Sequence, residues 1–522
     1  MRDPVVPLPA QSVRGAVWAL ANRFGVVARS PGELVGALTG IGLTGVAVAP
    51  PPPDGGEPAE VTELVRALRD LGHIRLVTSL GREPGVARDG SPASDPDPER
   101  APLPSGAAAD GSGDRLVEPV RAGPPDLGDP AVVCAADPVA VTAAYEHGAD
   151  GPRGRPNENH GRGRRTDTYD GPAKRPDAGG GPDGMGGPDR RSKGHVGPAG
   201  DAEGHGEPAG DAEGHGEPDE HGGLRAAWFR AGQSLIREQS PAERALVLLT
   251  SLGDDADPRL RPALDALATA APWRSDWTRV RGDVSPPWPG PVAALAQGTG
   301  RWSRHLLVAD QRGAIRSVHP ADATPAPGTA TMTVRITALA PLPDGTLLML
   351  DERGRLRTHG DTPLTDAVAA TLDAHPGTAL AATARLVLVG DRHGSLHAFG
   401  YDGMHQAAAH RGRVTAVAVS DGPAPLVCSG GADGTVRTWT PGRRPEHTPF
   451  VERGVPVTAL AVHGRTLAVA WADGLVELRR FGTEEALPLR PGPPVRAVAV
   501  PEEGSIVVGT DDTLFRVTAR AP

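Results

Sequence analysis

Residues 409–440 decide the fold and read AHRGRVTAVAVSDGPAPLVCSGGADGTVRTWT. Apolar residues alternate from 414 to 419, which is the pattern of a half-buried strand. A turn rich in Asp, Gly and Pro separates this strand from a second one predicted at 426–429. The Asp433-Gly434 pair then predicts a hairpin turn into a third strand at 435–439, because glycine adopts positive φ without steric cost. The stretch is therefore predicted to form three consecutive antiparallel strands.

The same layout recurs along the C-terminal half, at a spacing of about 40 residues. The predicted first strands of the units centre on residues 292–295, 336–339, 378–380, 414–417, 457–460 and 495–498. Hairpin turns follow at 310–313, 351–354, 391–394, 433–434, 473–474 and 511–512. This period matches one four-stranded blade of a β-propeller. We therefore expect an all-β propeller over residues 273–522, with six blades; a seventh would need strands that the sequence does not show.

Residues 409–440 resemble a repeat of the WD-repeat family. His410 stands where that family has the His of its Gly-His pair, and the Ser, turn Asp and Trp positions are occupied by Ser429, Asp433 and Trp439. The resemblance implies that these four side chains hydrogen-bond across the blade, a structural role that satisfies buried polar groups. The unit departs from the family by Ala409 in place of Gly and Thr440 in place of the terminal Asp. The other units resemble the family in their period only.

A propeller that does not close its ring leaves an exposed strand edge. The last unit ends after its third strand, close to Arg520. Residues 277–284, just before the first unit, alternate as a strand does. We therefore expect them to supply the missing outer strand of the last blade.

Residues 1–147 are predicted to form a small α/β domain. Apolar periodicity and capping signals predict helices at 12–24, 31–40, 59–71 and 138–145, and strands at 43–49, 73–79 and 131–135. Alternating strands and helices indicate a parallel sheet, and such sheets bind ligands beyond the carboxyl ends of their strands. Asp54, Ser79 and Asp137 therefore mark a possible ligand site. Asp137 is equally explained as a helix cap and Asp54 as a turn residue, and no phosphate-binding glycine motif accompanies them.

Two segments are predicted to be disordered: an insertion at 82–128 and a Gly/Pro/His-rich linker at 148–223, neither of which has enough apolar residues to offset its ordering entropy. The histidines of the linker lie about ten residues apart on this chain, which sets no fixed ligand geometry, so no metal site is expected. A helical module at 224–272 follows, with a capping box at Ser240, and is too small to fold without a neighbour. Trp273, Trp277, Trp288 and Trp302 are predicted to join it to the propeller.

The net charge of −10 argues against binding nucleic acid or an anionic membrane. No apolar run reaches the length of a membrane span, and the two cysteines lie in different predicted domains, which favours a reducing, cytoplasmic compartment. The sequence has no catalytic motif and implies no cofactor. We therefore predict a non-catalytic scaffold that binds other proteins. The alternative is a ligand-sensing or enzymatic α/β domain that the propeller regulates, and fold class alone does not decide between them.

Overall fold

The computed structural model describes residues 5–7, 12–40, 46–49, 59–71, 74–76, 126–148, 221–280, 292–360, 362–420, 422 and 425–520. These residues belong to one compact unit. The segments predicted to be disordered, 82–128 and 148–223, lie outside the described residues except at their ends. Residues 126–128 form a turn that leads into a helix, and residues 221–223 form a turn that leads into another.

Upstream of the propeller, the described chain forms three short strands and eight α-helices. In chain order they are β1 (Val5–Pro7), α1 (Val13–Phe24), α2 (Pro31–Gly40), β2 (Val46–Ala49), α3 (Ala59–Asp70), β3 (Ile74–Leu76), α4 (Pro130–Ala135), α5 (Pro138–His147), α6 (Leu224–Ala231), α7 (Pro241–Leu249) and α8 (Leu260–Leu267). The strands pair in parallel in the order β1-β2-β3, so this part is an α/β arrangement as predicted.

The strand predicted at 131–135 is wrong, because these residues form helix α4. Asp129 caps the helix by accepting a hydrogen bond from the N–H of Ala131 at 2.8 Å, and Pro130 occupies the first helical position. Both features favour a helix start. The third strand of the sheet is β1, which the sequence pattern did not reveal.

The C-terminal part is a six-bladed propeller. Its elements in chain order are β4 (Trp273–Val280), β5 (Val292–Gln297), β6 (Leu306–Asp310), β7 (Ala314–Val318), β8 (Pro325–Thr331), β9 (Ile336–Pro341), β10 (Leu347–Asp351), β11 (Leu356–His359), α9 (Thr365–Ala374), β12 (Gly377–Ala382), β13 (Leu386–Asp391), β14 (Ser395–Gly400), β15 (Gly403–Ala408), β16 (Val414–Val419), β17 (Val427–Gly431), β18 (Thr435–Trp439), β19 (Val451–Glu452), β20 (Val457–His463), β21 (Thr466–Trp471), β22 (Val476–Arg480), β23 (Ala486–Leu489), β24 (Val495–Ala499), β25 (Ser505–Thr510) and β26 (Thr513–Ala519).

Each blade is an antiparallel sheet of consecutive strands: blade 1 is β5–β8, blade 2 β9–β11, blade 3 β12–β15, blade 4 β16–β19 and blade 5 β20–β23. Blade 6 consists of β24–β26 and, as its outer strand, β4 from before blade 1. The register runs from Thr513 opposite Val280 to Ala519 opposite Trp273. The first strand of each blade contacts that of the next, and β24 contacts β5, so the ring is closed.

The closing strand was predicted correctly as an element, but four residues too late. Blade 2 also departs from the prediction, because its sheet has three strands in the described chain and helix α9 follows the third. Val368 and Leu372 of this helix are buried in the core between blades 2 and 3. The apolar side of helix α9 thus packs into the hydrophobic core that blades 2 and 3 share.

The helices upstream of the ring pack on blades 5 and 6 in one continuous hydrophobic core. The indole N–H of Trp273 donates to the carbonyl oxygen of Pro488 at 2.8 Å, and the hydroxyl of Thr278 donates to that of Leu249 at 3.0 Å. Trp277 is buried in the core of blades 1 and 6, Trp302 is half-buried in blade 1, and Trp288 lies outside the described residues. The predicted tryptophan seam therefore rests mainly on Trp273.

Candidate functional site: the upper face of the ring

We define the upper end of the ring as the end at which the second strand of each blade turns into the third. Because neighbouring strands are antiparallel, each first strand begins at this same end. Backbone hydrogen bonds join the two: the N–H of Glu352 donates to the carbonyl of Arg335 at 3.1 Å, and that of Ala432 to the carbonyl of Arg413 at 2.9 Å. The upper face therefore combines the turns with the chain segments that enter the blades.

Buried carboxylates build the turns of blades 1–3. Asp310, Asp351 and Asp391 each accept, through Oδ1, the N–H groups two and four residues further on, at 2.8–3.0 Å. A glycine with positive φ follows three residues later in each turn, as at Gly394, where a Cβ would lie 2.1 Å from the carbonyl oxygen of His410. These carboxylates are thus occupied by the backbone and hidden from solvent.

Blade 4 replaces this arrangement by a side-chain network, at the positions that the WD-repeat resemblance indicated. His410 contacts Asp433 Oδ1 through Nδ1 at 3.1 Å and Ser429 Oγ through Nε2 at 2.9 Å. Thr435 lies 3.1 Å from the same Nδ1 and donates its hydroxyl to Asp433 at 2.8 Å. Trp439 does not join the network, since its indole N–H donates to the carbonyl oxygen of Arg443 at 2.8 Å.

Burial lowers the pKa of His410 below its usual value, and the bond to Asp433 opposes this effect without cancelling it. Burial by itself would raise the pKa of Asp433, but hydrogen bonds from the Arg411 N–H, Thr435 and His410 lower it. An ionised Asp433 only accepts hydrogen bonds, so Nδ1 of the neutral His410 carries the proton. Nε2 then accepts the hydroxyl proton of Ser429, which satisfies each of these buried groups.

Arginines crowd the exposed part of the upper face on blades 1–4. They lie in the turns of blades 1–3 and in the segments that enter blades 2 and 4: Arg312, Arg335, Arg353, Arg355, Arg392, Arg411 and Arg413. We call this set the arginine face. Within the described residues, none of these guanidinium groups forms an ion pair with a carboxylate. Glu352 is exposed among them, whereas the turn carboxylates lie buried beneath.

The upper ends of blades 5 and 6 are covered by the upstream helices. Arg29 forms an ion pair with Asp512 at 2.6 Å. A Cβ on Gly474 would lie 3.3 Å from Val27, and a Cβ on Gly492 would collide with the carbonyl oxygen of Ala231. Among the described residues, the part of the upper face that is left uncovered is therefore that on blades 1–4, which carries the arginines.

The channel of the ring opens at the centre of this face and encloses about 230 Å³. The first strand of every blade carries a β-bulge at its second residue, and alanine at its third and fifth residues. The bulge residues lining the channel are Ala293, Thr337, Thr378, Thr415, Thr458 and Arg496. Arg496 is held at its mouth by two hydrogen bonds to Asp511, at 2.8 and 3.0 Å. Small side chains, mostly Ala and Thr, thus line much of the channel and leave its lumen open.

Of the three residues predicted to form a ligand site in the α/β part, the structure describes Asp137. Asp54 and Ser79 lie outside the described residues, and Asp137 caps helix α5 by accepting the N–H of Ala140 at 2.9 Å. That site therefore stays a prediction. Across the described ranges, no group of His, Cys, Asp and Glu side chains has a geometry that could hold a metal ion. None of the described helices combines the length and the apolar character needed to span a bilayer.

No family model matches the sequence, and no curated protein matches it. Solved structures similar to the chain include the computationally designed protein Ika8, with 20% identity over 44% of this chain and 71% of that one, at a TM-score of 0.31. They also include the WD40 repeats of RRP9, with 11% identity over 48% of this chain and 100% of that one, at a TM-score of 0.34. The fold assignment rests on the strand order and ring closure of this chain itself.

Proposed function

We propose that this protein is a scaffold of the WD-repeat type that binds an acidic surface of a partner protein through the arginine face. The observation that carries the proposal is the combination of exposed guanidinium groups, none of which forms an ion pair with a described carboxylate, with turns that are fixed from beneath by buried carboxylates. A rigid backbone lowers the entropy lost when such side chains bind a partner. Guanidinium groups also form two-pronged hydrogen bonds with carboxylates, which favours Asp- and Glu-rich partners.

The upstream helices have a role in this proposal, because they cover blades 5 and 6 and so restrict binding to blades 1–4. His410, Ser429, Asp433 and Trp439 act structurally, holding together the blade at one end of the arginine face. We further propose that residues 1–147, 224–272 and 273–522 are the folding segments of the chain. The net charge of −10 disfavours nucleic acid as the partner, although the arginine face itself is basic.

The experiment is a crosslinked pull-down from the native source with the wild type and two triple variants. R353E/R392E/R411E reverses three charges on the arginine face, one in each of blades 2, 3 and 4. The control R304E/R385E/R443E makes the same change in charge with exposed arginines in lower-end loops.

The proposal predicts a partner that is retained by the control variant and lost by the arginine-face variant, and whose binding weakens with added salt. Equal recovery with both variants, or no stable partner with the wild type, would contradict it.

A further inference from the structure

The third strand of blade 2, β11, forms the outer edge of its sheet in the described chain. In the other five blades a fourth strand covers the third one, and each of those third strands has at least three buried residues. In β11, by contrast, Leu356 is half-buried, and Arg357, Thr358 and His359 are exposed. Within the described chain, the side of β11 that a fourth strand would cover is therefore open to solvent.

Helix α9 lies on a face of this sheet and not along its edge. Its two buried residues, Val368 and Leu372, belong to the same hydrophobic core as Leu348 and Leu350 of β10. The helix thus packs across the sheet, on the side of blade 3. It leaves the edge of β11 uncovered, in agreement with the exposure of the residues of that strand.

The backbone hydrogen bonds show which groups of β11 face outward. The N–H of Asp351 donates to the carbonyl of Arg355 at 3.1 Å, so the odd-numbered residues of β11 bond to β10. Leu356 and Thr358 then direct their N–H and C=O groups away from the sheet. In blade 4 the carbonyl of the equivalent residue, Val436, accepts a backbone N–H from the segment that leads into β19, at 2.8 Å. The outward groups of Leu356 and Thr358 have no hydrogen-bond partner among the described residues.

The side chains of β11 alternate between the two faces of the sheet. Leu356 lies on the face toward blade 3, where it packs against the core shared by blades 2 and 3. Arg357 and His359 lie on the other face, as does Arg355 just before the strand. Arg357 bonds to the buried Asp351 at 2.9 Å, and its side chain stays 42% exposed. A strand added here would thus contact an apolar side chain on one face and basic ones on the other.

Charge decides what kind of strand fits this edge. Strand β11 has no acidic residue, and the exposed carboxylate of its hairpin, Glu352, lies in the turn before it. In an antiparallel pairing with a second copy, Leu356 or Thr358 would face Leu356 or Thr358 of the copy. Each of those registers places Arg357 opposite an arginine or a histidine of the copy. Like charges opposite each other destabilise a sheet and opposite charges stabilise it, so an acidic strand is favoured over a second copy.

We propose that the free edge of blade 2 binds an extended segment of a partner protein in which acidic residues alternate with apolar ones. The segment adds to the sheet as an antiparallel fourth strand and bonds to the backbone of Leu356 and Thr358. Its acidic residues face Arg355 and Arg357, and its apolar residues cover Leu356 next to helix α9. This site lies on the rim of the ring and is separate from the proposed binding at the arginine face, with which it shares Arg355.

The test uses the full chain and the synthetic peptide EVEVEVE with blocked ends, followed by isothermal titration calorimetry. A second peptide of the same sequence has N-methylated valines, which keeps all charges and side chains but removes the N–H groups that would bond to β11. The variant T358P removes the outward N–H of the strand, a change that an edge strand tolerates. The matched control T358A loses the same side chain and keeps that N–H.

We expect EVEVEVE to bind the wild type and T358A with a Kd below about 1 mM. Binding should be at least about tenfold weaker for T358P, for the N-methylated peptide and for the lysine analogue KVKVKVK. Both variants should melt close to the wild-type temperature, because β11 is an edge strand. The variant R392E/R411E changes the arginine face on blades 3 and 4 only, and it should bind the peptide as the wild type does.

Four results would each overturn the proposal. The first is a wild-type titration without saturable binding of EVEVEVE up to about 1 mM. The second is equal affinity for the peptide and its N-methylated form, which decides the matter even if T358P does not fold. The third is binding that is lost in R392E/R411E and kept in T358P, which would assign the peptide to the arginine face. The fourth is self-association of the wild type that T358P abolishes, which would assign the edge to a second copy.

Discussion

Replacement of Trp273 tests whether the upstream helices and the ring share one core. Its side chain is fully buried in the cluster that joins the helices to blades 5 and 6. The indole N–H donates to the carbonyl oxygen of Pro488 at 2.8 Å. W273F removes this donor and keeps an aromatic ring, whereas W273A removes the ring as well. The pair of variants therefore separates the hydrogen bond from the packing.

The expected costs differ for the two variants. W273F removes the donor to the carbonyl oxygen of Pro488, which is an exposed residue, so we expect the loss of an ordinary hydrogen bond, about 0.5–1.5 kcal/mol. W273A also loses the packing of a large aromatic side chain, and we expect a total of about 3–5 kcal/mol. The control is W302A, because Trp302 is half-buried and stacks against Arg301, 4.1 Å from the ring centre. Its loss should cost about 1 kcal/mol.

The assay is urea unfolding followed by far-ultraviolet circular dichroism, which does not depend on tryptophan fluorescence. The wild type should lose helix and strand signals in a single transition, because one core serves both. W273A should shift this transition strongly and W302A weakly. The reasoning is refuted if W273A costs no more than W302A, or if the wild-type helices unfold in a separate step before the ring.

Further outcomes follow from the turns, the blade 4 network and the cysteines. Since the folded-state pKa of His410 is lowered, its neutral form contributes stability above an unfolded pKa of about 6.5, and this is lost as the pH falls through the folded pKa. As the pH is lowered below about 6.5, the melting temperature should thus fall less steeply in H410Q than in the wild type. Parallel curves of melting temperature against pH for the two proteins would contradict the network. G434A should destabilise by more than about 1 kcal/mol in urea, since Gly434 has φ 75° and a Cβ would lie 2.0 Å from the carbonyl oxygen of Arg453. G36A, in the exposed middle of helix α2, should be neutral or stabilising, and a similar cost for both would contradict the turn geometry. Cys134 and Cys428 are buried, which raises the pKa of each thiol to about 12, so neither should react with a thiol reagent until the protein unfolds.

The sequence predicted the blades well because their signals are local. Alternation of half-buried strands and a glycine in each hairpin turn belong to single blades, and both can be recognised without tertiary information. The resemblance to WD repeats singled out His410, Ser429, Asp433 and Trp439, because such residues stand at fixed positions in a repeat. In the structure His410 contacts Ser429 and Asp433. The acceptor of the Trp439 indole lies instead in the loop after the strand, which the resemblance did not indicate.

The errors arose where two structures suit the same residues. The run at 131–135 is short and apolar, which fits a buried strand as well as a helix. The Asp129-Pro130 pair caps and starts helix α4. The same Asp-Pro signal at 137–138 correctly predicted helix α5, but it was overlooked at 129–130. Helix α9 was not predicted either. The spacing of about 40 residues matches a four-stranded blade, so the segment after the third strand of blade 2 was expected to form a strand and not a helix.

The arginine face could not be predicted from the sequence. Arg312, Arg353 and Arg392 lie some 40 residues apart, and they share a surface only because successive turns occupy the same end of the ring. The covering of blades 5 and 6 depends on contacts such as that between Arg29 and Asp512, which join distant parts of the chain. An arginine one or two residues after the turn Asp of blades 1–3 was the available signal.

The most direct measurement tests whether the ring is closed by β4, since an open ring would not hold the blades as one surface. Arg274 lies opposite Thr518 in the register of β4 and β26. The double variant R274C/T518C should therefore form a disulfide rapidly in the native protein under mild oxidation, detected by its altered mobility on a non-reducing gel. R279C/T518C, with Arg279 paired instead to Leu514, should form one slowly or not at all. Equal rates for the two pairs would contradict the closed ring.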